Sequence, residues 1–313
     1  MNHKNQSRRN FIKSGSALLG TALPLMSMSK PFEALVKNSK YYDTLGVQLY
    51  TVRNQLDKNF EGTIKAIKEL GYSRLEAMDL EDQLPKLMPI AKDLGLKVNS
   101  SFFKWTYLTG RWDLVSPGGT STPPKGKTVD HVIDLAEKNN LEYLVFGYLR
   151  PEERETLDDF RKIAKKLNET GEKCNKAGIK LCYHNHSFEF EKKGDATPFD
   201  ILIEDLDPKM VQFELDIFWA SLGGWDPEKT MKKLKNRIRL LHLKDKKAGA
   251  PVIYNEGEVP VDTFKELGNG TVDIKGVLAL AEKIGVEQCY VEQDQSPDPI
   301  KSIGESINFM SKV

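Results

Sequence analysis

The sequence predicts an α/β chain that closes into a single-domain (β/α)8 TIM barrel. Eight short apolar runs alternate with amphipathic helical stretches, and such alternation gives parallel strands joined by right-handed crossovers. Eight units in about 270 residues is the size of a closed barrel. An open doubly wound sheet is the alternative, but no Gly-x-Gly-x-x-Gly follows the first run.

The runs, in order, are TLGVQLYTV (44–52), RLEAM (74–78), KVNSSFF (97–103), LEYLVFGYL (141–149), IKLCYHNH (179–186), VQFELDIF (211–218), IRLLHLKD (238–245) and QCYVEQD (288–294). Helical patterns such as FEGTIKAIKELG, LPKLMPIAKDLG and DDFRKIAKKLNETGEKCNKAG separate them, and VDIKGVLALAEKIG bridges the last two. Gly71, Gly95, Gly178 and Gly285 close helices where a left-handed C-terminal residue is wanted, just before the next strand. The longest irregular stretches, 104–125 and 246–272, are of the kind that forms lids or substrate loops.

The chain carries 46 Lys and Arg against 45 Asp and Glu, a formal net charge of +1. That balance gives no attraction to a polyanion, so no nucleic-acid partner is expected. The three cysteines, Cys174, Cys182 and Cys289, are too few and too irregularly spaced for a disulfide framework or a C-x-x-C zinc site. The N-terminus resembles a twin-arginine (Tat) export signal. Ser7, Arg8, Arg9, Phe11 and Lys13 supply the S-R-R-x-F-x-K core, and a mostly apolar run follows. The alternatives are a short membrane anchor or a chance basic patch, but the run is short for a stable span. The expected organisation is therefore a signal and linker over 1–38, cleaved between 25 and 40, and a barrel over 39–313. It implies the Tat machinery as a partner, a periplasmic or exported location and no stable membrane span after processing.

Active sites of such barrels gather at the C-terminal ends of the strands. There the fifth run offers His184 and His186, with Glu189 beyond, and the sixth offers Glu214 and Asp216. The seventh offers His242, Lys244 and Asp245; the eighth, Glu292 and Asp294; the second, Glu76. Glu214 and Asp216, two residues apart on one strand, share a face, and ionised carboxylates in a strand core need a partner. One divalent metal held by Asp216, His242, Glu292 and a residue of the fifth strand would supply it. Mixed imidazole and carboxylate ligands suit Mn²⁺, Co²⁺, Fe²⁺ or Zn²⁺. The plainer reading is that these groups pair among themselves, for example His242 with Asp216.

At this point the sequence resembles the xylose-isomerase-like barrels, a group of sugar isomerases, epimerases and inosose dehydratases. The resemblance covers about 44–313 and rests on ELD, LLHLKD and YVEQD, with GNGTVDIKGV similar to a G-x-G-x-[IV]-D segment. It implies ligands from strands five to eight, of which Asp216, His242 and Glu292 match the last three. Where many members have Glu on strand five, this chain has YHNH. His184 falls at that position and is the expected ligand, with His186 acting on substrate; the reverse assignment stays open.

The implied chemistry is metal-assisted removal of a proton beside a carbonyl, giving an enediolate, with Glu292, His186 and Lys244 as candidate catalytic groups. Reprotonation gives isomerisation or epimerisation; loss of a β substituent gives dehydration or elimination from a 3-keto-glycoside or an inosose-like substrate. His in place of the second glutamate argues against a symmetric two-glutamate epimerase. Export points to a sugar without phosphate. Gln48, Glu76, Lys104, Trp105, Glu189, Glu214 and Trp219 are the expected substrate contacts or their supports, with Glu214 pairing to Lys244 or a histidine. A non-catalytic sugar-binding barrel and a DNA-repair endonuclease are the other classes, and the resemblance also allows a homo-oligomer.

Overall fold

The computed structural model describes residues 39–115, 119–120 and 122–313. The twin-arginine segment and the 1–38 boundary lie outside the described residues. Eight parallel strands form the barrel: β1 (Gly46–Gln48), β2 (Arg74–Ala77), β3 (Lys97–Phe102), β4 (Tyr143–Phe146), β5 (Lys180–His184), β6 (Val211–Asp216), β7 (Ile238–Leu243) and β8 (Gln288–Val291). Each pairs with its sequence neighbours and β8 closes on β1. Eight helices surround it: α1 (Phe60–Glu69), α2 (Leu80–Asp93), α3 (Val129–Lys138), α4 (Leu157–Lys176), α5 (Pro198–Asp205), α6 (Pro227–Leu234), α7 (Ile274–Ile284) and α8 (Pro299–Met310).

Local chemistry sets the helix ends. Every one of the eight starts on an Asn, Asp or Thr whose side chain accepts a first-turn N–H: Asn59, Asp79, Thr128, Thr156, Thr197, Asp226, Asp273 and Asp298. The glycines expected to end helices do adopt positive φ, at +104° for Gly71, +64° for Gly95, +73° for Gly178 and +82° for Gly285. Among the described residues no helix is long and apolar enough to cross a membrane.

The strands bury both faces. Leu75, Leu144, Leu181, Leu215 and Leu241 belong to the large core between sheet and helices. Tyr143, Val145, Cys182, Leu240 and Tyr290 form a separate apolar plug inside the barrel. Gly46 makes room for that plug, because a Cβ there would stand 2.3 Å from the Tyr290 ring. Above the plug the inward residues turn polar. A register irregularity decides how they meet: Phe213 pairs with Ile238 but Glu214 with Leu240, skipping one residue of β7. Asp216 therefore comes opposite His242 instead of Leu241.

After β7 the chain makes a small antiparallel ribbon, Asp245–Lys246 against Phe264–Lys265. The buried Asp245 carboxylate latches the following loop. Its Oδ2 accepts from Gly268 N and Gly270 N, both at 3.0 Å, and its Oδ1 from Val272 N at 2.9 Å and Lys246 N at 2.8 Å. A Cβ at Gly270 would fall 2.2 Å from Oδ1, so the G-x-G spacing lets the backbone reach the carboxylate. Asp245→Asn turns one acceptor into a donor facing these N–H groups. A loss of about 3 kcal/mol is expected, read as a lower urea midpoint with unchanged m and faster proteolysis within 246–272. An unchanged midpoint would dismiss the latch.

Candidate active site

The C-terminal mouth of the barrel opens into a cleft of about 550 Å³. Gln48, Lys104, Trp105, His184, His186, Trp219 and Glu292 line it, as the sequence suggested, together with Tyr50, Asp79, Phe102, Tyr148, Glu256, Phe264 and Asp294. Asp216, His242 and Lys244 lie just beneath its floor, fully buried.

Asp216 is placed by three contacts. Its backbone is clasped by Asn185, whose Oδ1 accepts from Asp216 N at 3.1 Å and whose Nδ2 donates to Asp216 O at 3.2 Å. Its Oδ1 caps the short helix Ile217–Leu222 by accepting from Trp219 N at 2.9 Å. Oδ2 is left for the site. Lys244 Nζ stands 2.8 Å from it as an ion pair.

His242 is the hub. Nδ1 faces Glu292 Oε2 at 3.0 Å and Asp216 Oδ2 at 3.7 Å; Nε2 faces Glu76 Oε2 at 2.6 Å and Glu214 Oε2 at 3.4 Å. His184 packs against it with ring centroids 4.6 Å apart and turns Nδ1 to Glu214 Oε2 at 3.1 Å. Glu214 thus pairs with the two histidines and not with Lys244. Lys244 instead bridges Asp216, Glu292 at 2.5 Å and Asp294 at 2.8 Å.

His186 sits in an aromatic box, stacked on Phe188 at 5.6 Å with Trp219 at 5.3 Å and Tyr148 at 5.8 Å. Its Nδ1 has no hydrogen-bond partner. Glu189 is not a cleft residue: it is fully buried, accepting from Tyr183 OH and from His186 N, both at 2.9 Å, and so supports His186 from behind. Glu76 and Glu214 likewise do not line the cleft; each is fully buried among the histidines. Lys104 lines the rim but its Nζ is paired with Asp82 at 2.6 Å.

Burial and charge set the protonation of these groups. Burial would raise the Glu292 carboxyl, but the Lys244 and His242 charges outweigh it and hold it below the usual carboxylate range. Burial and then the Glu292 charge push Asp294 up to about 7. Burial raises Asp216, and burial with the Glu76 charge raises Glu214 well above the ordinary value. Burial would lower His242 and Lys244, but the surrounding carboxylates raise both well above theirs. Burial, with Lys244 nearby, lowers His186 to about 3, so it is neutral.

Five carboxyl groups (Glu76, Glu214, Asp216, Glu292 and Asp294) thus surround one ammonium and His242. Ligand-capable atoms of His184, Asp216 and His242 lie within 4.8 Å of one another, as do those of Glu76, Glu214 and His242. Among the described residues Glu214 Oε1 has no hydrogen-bond partner. A buried excess of acceptors of this kind fits a divalent cation.

Sequence reasoning did not assign a role to Asp294, Glu256, Tyr148, Tyr50, Phe102 or Phe264. Asp294 had a signal, two residues beyond Glu292. Glu256 had none: it reaches the cleft because Arg154 Nη2, at 2.7 Å, and Tyr148 OH, at 3.1 Å, donate to it from another loop.

Glu189 generates a pH prediction. Burial raises its carboxyl from the ordinary 4.5 to about 8. The folded state binds this proton more tightly than the unfolded state. Its contribution is therefore complete below pH 4.5 and is lost as pH rises through about 8. Glu189→Gln copies the protonated form, its oxygen accepting from His186 N and its amide donating to Tyr183. Urea titrations across this range should show a flatter fall in stability for the variant; an identical slope would place the effect elsewhere.

Residues 64–313 match the profile of the family described as Xylose isomerase-like TIM barrel. Inosose dehydratase of Clostridium tetani is 29% identical over 149 residues, 45% of this chain and 49% of that protein. That of Geobacillus kaustophilus is 28% identical over 152 residues, 46% and 49% respectively. The chain thus spans about half the length of these relatives. Among solved structures, a sugar phosphate isomerase/epimerase from Parabacteroides distasonis superposes with a TM-score of 0.69 at 22% identity, covering 87% of this chain and 94% of that one. The probable 3-DHS dehydratase AsbF of Bacillus anthracis gives 0.62 at 11% (86% and 98%). The IolI protein with a bound zinc atom gives 0.58 at 16% (86% and 95%). These structural likenesses are likenesses of fold. With its profile match over most of its length and its closed eight-stranded barrel, the chain belongs to the xylose isomerase-like TIM barrel family.

Proposed function

We propose that this chain is an enzyme that removes the proton beside the carbonyl of a small polyhydroxy carbonyl compound, leading to isomerisation, epimerisation or β-elimination. The observation that carries the reading is the cleft wall where Lys244 holds Glu292 and Asp294 side by side, both carboxyls facing the cleft. Asp294, at about 7, is matched to carry a proton at neutral pH. Lys244 is fully buried, keeps its proton and does not line the cleft, so it acts as the fixed counter-charge and not as the base. His186, neutral and with Nδ1 free, offers a hydrogen bond to a substrate oxygen from the opposite, aromatic side. Trp105 and Trp219 present unpartnered Nε1–H groups there and apolar faces for a sugar ring.

One divalent metal is part of the proposal. His184, Asp216, His242 and Glu292 would hold it, and it would polarise the substrate carbonyl and steady the charge developing on its oxygen. The zinc in the IolI structure supports this, as does the imidazole and carboxylate donor set, which suits Mn²⁺, Co²⁺, Zn²⁺ or Fe²⁺.

The cleft argues for a substrate without phosphate. The one lysine in its lining, Lys104, is already paired with Asp82, so the lining offers a phosphate no free ammonium. The lopsided arrangement, carboxylates on one wall and imidazole on the other, favours isomerisation or elimination over epimerisation by matched carboxylates. The inosose dehydratase relatives support the elimination branch. A 3-keto-glycoside or an inosose is the class to try first. Export through the Tat machinery, from Ser7–Lys13, belongs to the same proposal.

Metal analysis of purified protein should find one ion per chain, lost in Asp216→Asn and His242→Ala. Solvent-deuterium exchange into a panel of keto-sugars, inososes and 3-keto-glycosides should fall by about 10²- to 10⁴-fold in Asp294→Asn, with the neutral limb of the pH profile lost. Metal-free protein that takes up no Mn²⁺, Co²⁺ or Zn²⁺ would overturn the mechanism and leave a sugar-binding barrel. Full exchange in Asp294→Asn would remove Asp294 as proton carrier.

A further inference from the structure

We propose that Glu76 is a positioning residue: it fixes the His242 ring so that Nδ1, and not Nε2, is the nitrogen offered to a metal. The inference rests on the metal reading above, and it reassigns a residue that the sequence placed among substrate contacts. Glu76 is fully buried and does not line the cleft.

Tyr50 N donates to Gln48 Oε1 at 3.0 Å. That contact settles the orientation of the Gln48 amide, because only its oxygen can accept. Gln48 Nε2 must then be the group at 2.9 Å from Glu76 Oε2, and it donates there. Ser100 Oγ donates to the other oxygen, Glu76 Oε1, at 2.5 Å. Both oxygens of Glu76 are therefore acceptors. With Glu76 as a carboxylate, His242 Nε2, 2.6 Å from Oε2, is the donor of that pair.

The carboxylates around His242 favour the doubly protonated ring, so metal binding must displace one proton and leave a neutral imidazole with one N–H and one lone pair. With Nε2–H committed to Glu76, the lone pair is at Nδ1. Nδ1 is the nitrogen that faces Glu292 Oε2 at 3.0 Å and Asp216 Oδ2 at 3.7 Å, the carboxylates nearest the cleft. Carboxylates that accept the second N–H of a ligating histidine orient the ring and raise its basicity. Here β1, β2 and β3, which follow β8 round the closed sheet, supply Gln48, Glu76 and Ser100 for that purpose.

The test uses ¹⁵N-histidine-labelled protein loaded with Zn²⁺, with chelator competition for affinity. In wild type, the His242 ring should show a proton on Nε2 and metal on Nδ1. Glu76→Leu, which leaves Nε2 without an acceptor, should bind Zn²⁺ about 10- to 100-fold more weakly and lose the single-tautomer signature. Glu76→Gln should restore it. Its oxygen can stay on Gln48 and His242 while its amide donates to the Ser100 hydroxyl, so affinity should return to within about tenfold of wild type. A purely structural role for Glu76 would lower the unfolding midpoint without moving the tautomer.

Zn²⁺ held through Nε2 in wild type would overturn this inference and leave the metal reading standing. So would a folded Glu76→Leu with wild-type affinity and spectrum. Protein that takes up no Zn²⁺, Mn²⁺ or Co²⁺ would overturn both. Should Glu76→Leu fail to fold, the wild-type and Glu76→Gln spectra still decide which nitrogen carries the proton.

Discussion

The structure depends on how one barrel tolerates five buried carboxyl groups. Glu76, Glu214, Asp216, Glu292 and Asp294 are gathered above an apolar plug, where an isolated carboxylate would cost several kcal/mol. His242 in β7 and Lys244 just past its end, two residues apart, meet all five between them. His242 approaches Glu76, Glu214, Asp216 and Glu292; Lys244 approaches Asp216, Glu292 and Asp294. The charge is still unbalanced, and the imbalance is what a divalent cation would relieve.

The same strand organises what lies above the site. Asp245, one residue beyond Lys244, turns away from the barrel axis and gathers the N–H groups of Lys246, Gly268, Gly270 and Val272. One short segment, His242 to Asp245, thereby joins the floor of the cleft to the return loop that leads into α7. The HLKD and G-x-G segments are distant in sequence but form one unit of hydrogen bonding. On the other side of the mouth, Arg154 and Tyr148 pin Glu256, so the long loop after β7 contributes a wall to the cleft.

The two histidines of the fifth strand differ because their surroundings differ. His184 lies over carboxylates, with Nδ1 on Glu214. His186 lies among Phe188, Trp219 and Tyr148, with its backbone held by Glu189. The first faces the carboxylate cluster and the second the aromatic side of the cleft. Gly147 allows the arrangement: a Cβ there would stand 2.3 Å from the Phe102 ring and 3.2 Å from His184 Cβ.

The sequence by itself determined the barrel, because its signals are local. Apolar runs, Asn, Asp and Thr caps and positive-φ glycines each report the state of a few consecutive residues, and the spacing of eight such units leaves one closed topology. It also determined which residues crowd the mouth, since His184, Asp216, His242 and Glu292 sit at strand ends whatever the neighbours do. Only the tertiary structure decided who pairs with whom. The skipped residue between β6 and β7 sets Asp216 beside His242, and the closure of the sheet, which brings β2 within reach of β7, turns Glu76 from a substrate contact into a partner of His242. Glu189 leaves its expected place in the cleft and Glu256, for which no place was expected, enters it for the same reason: one faces away into the core, and the other arrives from a loop with no periodicity to announce it. Hydrogen bonds between residues more than a hundred positions apart leave no trace in the order of the chain, because they are set by the closure of the barrel and not by any stretch of it.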